Sequence, residues 1–228
     1  MPIEQKETRE GVWVSDVSAI DPFNSFRRAR FRRFRKLLER AAAEVRERPV
    51  RVLDLGGSAG FWRGLEGEWR DLRLEITLAN LGAVDEDCPP FFLRDGNACD
   101  LAYPDQSFDV VHSNSVIEHV GQWRAVQDMA REVRRLAPHY FVQTPNFWFP
   151  YEPHYKTVLL HWLPEATRAA MVLRKPRGWI SADSYDQAMA EVQAISLLTA
   201  RQMSVLFPDA RIERERFAGL TKSLLAIR

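Results

Sequence analysis

The stretch Val52-Leu53-Asp54-Leu55-Gly56-Gly57-Ser58-Ala59-Gly60-Phe61-Trp62 carries the clearest chemistry in the sequence. An apolar run ends on a carboxylate and breaks at once into a turn of small residues. Such a turn, opening a helix, offers bare backbone N–H groups and the positive end of a helix dipole. Phosphate is the usual guest. Here the fixed charge of Asp54 repels a pyrophosphate, and no P-loop lysine offsets it. The small residues Gly56, Gly57, Ser58, Ala59 and Gly60 also miss the G-x-G-x-x-G spacing of dinucleotide sites. A ligand with an ammonium group and a carboxylate but no phosphate fits better. S-adenosylmethionine is such a ligand. Its amino group can pair with Asp54, directly or through water, its carboxylate can take the loop amides, and its adenosyl part can lie along the glycines.

A second group lies further along the chain. Gln143-Thr144-Pro145-Asn146-Phe147-Trp148-Phe149-Pro150-Tyr151-Glu152-Pro153-His154-Tyr155 mixes aromatics and prolines with a glutamate and a histidine, and His161-Trp162 follow. Apolar walls with a few polar anchors suit a lid or acceptor pocket. Prolines stiffen it and lower the entropy lost on ordering. Asn146, Trp148, Glu152, Tyr155 and His161 are the expected acceptor contacts. His154, or His119 from Asn114-Ser115-Val116-Ile117-Glu118-His119-Val120, can serve as a catalytic base with an ordinary pKa near ~6.5.

These residues need a scaffold. Hydrophobic periodicity predicts a helix over 23–48, with Phe23, Phe26, Phe34, Leu37, Leu38, Ala41 and Val45 on one face. Arg27 and Arg30 fall inside that apolar arc, so they snorkel or reach the mouth of the site. Strands are expected over 50–55, 72–79, 91–93, 108–114 and 140–144, with helices over 60–70 and 123–136. The segment 145–164 is expected to be irregular, with helices following to 206. Closing strands over 212–217 and 223–227 complete an α/β fold. In such a sheet the ligand lies at the carboxyl ends of the strands. Two units are expected: an N-terminal arm and covering helix over 1–48, and a ligand-binding domain over 49–228 with an acceptor insertion at about 145–205.

On the motif Asp54-x-Gly56-x-Ser58-x-Gly60, the chain resembles the class I S-adenosylmethionine-dependent methyltransferases, with serine for the middle glycine. The resemblance covers about 50–144 and the last twenty residues. It implies a seven-stranded, mainly parallel, Rossmann-like sheet with helices on both faces and an antiparallel C-terminal hairpin. It implies that Asp54, Gly56, Gly57, Ser58 and Gly60 hold the cofactor. Asn80, where the family usually has an acid, meets the ribose. Asp95, Gly96 and Asn97 meet the adenine, and Asn114 and Ser115 flank the methionine part. The segment at Glu118-His119 also resembles the Glu-x-x-Glu-His stretch of metal-assisted methyltransferases. Ser115 replaces the first glutamate, and no metal is expected.

Composition narrows the rest. With 228 residues there is length for one sizeable domain, and a net charge of +1 gives no global field for nucleic acid or membrane. Two cysteines make no disulfide framework or metal spacing. No run approaches the ~20 apolar residues of a membrane span, and a cytoplasmic setting is expected. The expected activity is O-methylation of a small molecule, glycan or lipid-linked metabolite. Alternatives are an RNA methyltransferase using the arginine-rich helix over 23–48, or a non-catalytic binding module of the same fold.

Overall fold

The computed structural model describes residues 22–228, with side chains from residue 26 onward. The expected arm over 1–22 therefore lies outside the described residues, save Pro22. The covering helix is α1 (Pro22–Val45), and the first strand is β1 (Val50–Leu55). There follow α2 (Ala59–Gly64), β2 (Leu74–Asn80), β3 (Glu86–Cys88), β4 (Phe91–Asp95), β5 (Val110–Asn114), α3 (Trp123–Leu136) and β6 (His139–Pro145). A short hairpin, β7 (Tyr151–Glu152) and β8 (Thr157–Val158), leads to α4 (Glu165–Arg174), α5 (Tyr185–Gln193) and α6 (Ala200–Leu206). The chain closes with β9 (Arg211–Phe217) and β10 (Leu220–Ile227).

The main sheet has eight strands in the order β3-β4-β2-β1-β5-β6-β10-β9. The strands β4, β2, β1, β5 and β6 run parallel, and β10 and β9 return antiparallel. The expected count of seven is corrected by β3, which pairs antiparallel with β4. Its residues are all exposed, so no alternation of apolar and polar residues marks it, and backbone pairing alone makes it a strand. It forms one rim of the sheet. At the other rim, β9 presents Arg211, Arg214 and Arg216 to solvent.

Strand periodicity sorts the core into two layers. On one face, Leu53, Leu55, Val111 and Val142 pack with Val126, Met129, Val133 and Leu136 of α3. On the other, Val50, Val52, Val110 and Phe141 pack under Phe31, Phe34 and Leu38 of α1 and Trp62 of α2. The same alternation puts Asp54 and His112 on the α1 side. A smaller core joins Tyr155, Leu160, Ala169, Val172, Ala188 and Val192 around α4 and α5. No helix among the described residues is long and apolar enough to cross a membrane.

Asp109 ties the α1–β1 connection to the start of β5. Its carboxylate accepts both Arg48 guanidinium nitrogens at 2.6 and 2.7 Å, and the Arg51 N–H at 2.8 Å. Burial pushes this carboxyl up, but the Arg48 and Arg51 donors outweigh burial and hold it below the usual range. The folded pKa lies below the unfolded value of about 3.9. The stabilisation is therefore present above that value and is lost as pH falls through the folded pKa. Asp109→Asn is expected to cost about 1 kcal/mol at neutral pH, after allowance for the half-exposed Arg48, and less near pH 3, as urea midpoints at the two pH values will show.

Candidate active site

The strand order reverses between β2 and β5 on either side of β1, and the carboxyl ends of these strands form the crevice where α/β sheets bind ligands. After β1 the backbone turns through Gly56, at φ +70. A Cβ on Gly56 would lie 2.5 Å from the Val116 side chain, and one on Gly57 only 1.9 Å from Asp54 Oδ2. Glycine is therefore required twice. Ser58 caps α2, accepting the Phe61 N–H at 3.2 Å. Gly60 has only Ser58 Oγ nearby, at 3.9 Å, so this flank is open.

Asp54 stands at the expected position, but its carboxylate turns beneath the loop. It is 1% exposed. Oδ2 accepts the Trp62 Nε1–H at 2.7 Å, and Oδ1 lies 2.7 Å from His112 Nδ1, which must donate to it. Of the two expected modes, direct or through water, burial disfavours the direct ammonium contact of Asp54: register places it on the α1 face, where it braces the loop. His112 and Trp62 were missed as its partners. A lone histidine inside the apolar strand Val110–Asn114 was the available signal.

Asn80 donates from Nδ2 to the Gly57 carbonyl at 2.9 Å, which leaves its side-chain oxygen as the acceptor for a hydroxyl. Asp95 is exposed, and one oxygen accepts the Gly82 N–H at 2.7 Å. The Gly96 N–H goes to the Asn80 carbonyl at 3.1 Å, so this amide is not free to donate to an adenine. Asn97 closes its own turn by accepting the Cys99 N–H at 3.0 Å. These residues share the cradle's rim with Asn114 and Ser115.

Arg30 reaches that rim from α1, as its place in the apolar arc suggested. It is 8% exposed. It pairs with Glu215 at 2.8 Å and donates to Asn114 Oδ1 at 2.5 Å and Gln143 Oε1 at 2.8 Å. Ser115, at φ +59, donates its hydroxyl to the same Gln143 oxygen at 3.0 Å.

The two candidate bases meet. His119 Nε2 lies 2.9 Å from His154 Nε2, and His154 Nδ1 lies 2.5 Å from Glu152 Oε1. Glu152 is fully buried, and its other oxygen accepts the Tyr155 N–H at 2.6 Å. Burial alone would lower the His154 imidazole, but the Glu152 carboxylate outweighs it and holds it above the ordinary range. Burial and the His154 charge push His119 down. Glu118 completes the cluster. It is fully buried, accepts the Thr144 hydroxyl at 2.9 Å, and has its carboxyl pushed up to about 7 by burial. Ligand atoms of Glu118, His119 and His154 all lie within 4.8 Å of one another. Glu118 entered the sequence reading only through its likeness to a metal-assisted stretch, with no site role assigned, and its depth had no sequence signal.

Other expected acceptor residues do structural work. Tyr155 is 1% exposed inside the α4–α5 core, so its ring does not reach an acceptor. Asn146 joins the end of β6 to the start of β10 by donating to the Thr221 carbonyl at 2.8 Å. His161 donates from Nε2 to the Phe147 carbonyl at 2.8 Å, apart from the cluster. Trp148 is 64% exposed.

Residues 26–194 match the family model described as a methyltransferase domain. No curated protein matches the chain. Among solved structures, the CMeT domain of the citrinin polyketide synthase is similar at 11% identity, over 78% of this chain and 46% of that one, with a TM-score of 0.49. An O-methyltransferase family protein from Burkholderia thailandensis aligns at 13% identity over 90% and 58%, with a TM-score of 0.46. Phosphoethanolamine N-methyltransferase 2 of Haemonchus contortus, in complex with S-adenosyl-L-methionine, aligns at 14% over 73% and 35%, with a TM-score of 0.45. The chain thus spans between 35% and 58% of the length of these three proteins.

Proposed function

Because the chain belongs to the methyltransferase-domain family, whose members use S-adenosylmethionine, we propose that it methylates an oxygen of a small molecule, glycan or lipid-linked metabolite. Asn80, Asp95 and the backbone of the Gly56–Gly60 turn would hold the cofactor, with Asp54 bracing the turn from below rather than touching the ligand. The open flank at Gly60 and the uncovered oxygens of Asn80 and Asp95 suit an adenosyl group. When bound, the cofactor would supply an electrophilic methyl group to the acceptor oxygen.

The meeting of His119 and His154 on Glu152 carries the reading of an oxygen acceptor. A hydroxyl must give up its proton when it is methylated, whereas a neutral amine needs less help. The segments after β5 and β7 bring these two imidazoles together, and one of them would receive that proton. The arginines of α1 favour a covering role over an RNA-binding one. Arg32, Arg33, Arg35 and Arg40 face Glu68, Glu213, Asp71 and Glu44, which neutralise the charge that a phosphate backbone would need.

Incubation with methyl-labelled cofactor and panels of phenols, quinols, sugars and fatty acids is expected to place label on oxygen. His154→Gln should lower kcat by about 100-fold while leaving cofactor affinity unchanged. Label found only on nitrogen, or an unimpaired His154→Gln variant, rejects the oxygen reading.

A further inference from the structure

We propose that Glu118, His119 and His154 form a binding site for one divalent transition-metal ion of the zinc class. The ligand atoms come from two separate segments, the turn after β5 and the turn after β7, yet converge within 4.8 Å. Two imidazoles and one carboxylate are a ligand set that zinc, cobalt and iron accept, whereas magnesium and calcium want oxygen throughout.

The first argument concerns the carboxylate. Glu118 is fully buried, and Thr144 supplies a donor to one oxygen only. The other oxygen, Oε1, has no partner among the described residues. A buried carboxyl oxygen without a partner is costly. A cation within the cluster is the partner that its surroundings otherwise lack.

The second argument concerns the rings. His154 gives its Nδ1 side to the buried Glu152, so its Nε2 carries the lone pair. The two Nε2 atoms face each other at 2.9 Å. The lone pair of His154 there needs either an N–H of His119 or a cation, and a cation satisfies both rings and Glu118 at once. Bonds of about 2.0–2.1 Å in a tetrahedral set put ligand atoms about 3.3 Å apart, so the two nitrogens need part by only a few tenths of an ångström, while the Glu118 carboxylate would draw in from within 4.8 Å.

The third argument is the support around the ligands. Metal-bound histidines characteristically donate their other nitrogen to a carboxylate, which fixes the tautomer and raises ligand basicity. Glu152 has that place here, and is itself anchored by the Tyr155 N–H at 2.6 Å. Thr144 orients Glu118 in the same way. Three protein ligands leave a fourth position for water or for an acceptor oxygen, and with the ion in place a metal-bound hydroxide, rather than an imidazole, would take the acceptor's proton. Only this last use of the ion rests on the proposed O-methylation; its binding does not.

The test strips the full chain with a chelator and titrates it with Zn2+ by calorimetry and with Co2+ by visible absorption. One ion per chain is expected, with the visible bands of four-coordinate Co2+. His154→Ala and Glu118→Gln should each weaken Zn2+ binding by at least about 100-fold, and Glu152→Gln by about 10- to 100-fold. Far-UV circular dichroism of each variant separates a lost ligand from a lost fold, and His119→Gln provides a second ligand variant if Glu118→Gln does not fold. Absence of Zn2+ and Co2+ binding, or binding that all of these folded variants retain, overturns the metal site. If the stripped chain then still labels oxygen acceptors at full rate, the metal inference falls and the methyl-transfer reading stands.

Discussion

Arg30→Ala is expected to destabilise the protein by about 3–5 kcal/mol, read as a large fall in the urea midpoint. The side chains of Arg30 and Glu215 are only 10% and 6% exposed. Removing the guanidinium leaves the Glu215 carboxylate buried without its counter-charge. It also leaves the oxygens of Asn114 and Gln143 without the donor that joins them. Arg30→Lys should recover only part of the loss, because a single ammonium cannot hold Glu215 with a fork while reaching two amides. A loss below about 1 kcal/mol for Arg30→Ala would mean that water screens the pair as it does on an open surface.

Gly57→Ala is expected to weaken cofactor binding by about 1000-fold or more. The added methyl would stand 1.9 Å from Asp54 Oδ2. That oxygen is not the loose end of a flexible chain, since Trp62 holds it and His112 holds its twin. Either the loop lifts or the carboxylate leaves both partners, and the cradle is lost in each case. Gly67→Ala, where nothing lies within 4 Å of the new carbon, is the matched control and should leave affinity unchanged. Calorimetric titration with S-adenosylmethionine decides it. Equal affinities for the two variants would place the cofactor away from this turn.

The parallel strands and both flanking helix layers were legible because apolar residues recur at strand and helix periods. The strand Val50–Leu55 and the helix Trp123–Leu136 stand where periodicity puts them. Some elements came out differently for local reasons, among them the short hairpin of β7 and β8 inside the segment 145–164 expected to be irregular. The helix expected to reach residue 70 stops at Gly64, and a short 3-10 turn, Glu66–Glu68, follows beside Gly67. The rim strand Glu86–Cys88 has Cys88 alone as an apolar residue, too little to announce it. At the site, residue type named His119 and His154, and the loop composition named Glu152. What the sequence could not express was the pairing of groups far apart in the chain. Arg30 with Glu215 and Asp54 with His112 depend on which face of the sheet each side chain meets. Tyr155 shows the opposite error: an aromatic beside two polar candidates in sequence belongs to a different core in space.

The rims of the sheet have a consequence for the crowded state of this protein. Unpaired strand edges invite a second molecule to extend the ladder, and closely spaced charges discourage it. One rim offers Glu86, with Asp87 paired to Arg94, and the other Arg214 and Arg216, with Arg211 paired to Glu213. Like rims repel, so edge-to-edge growth of identical copies is opposed at either side. Opposite rims attract, so added salt should loosen head-to-tail association at high concentration.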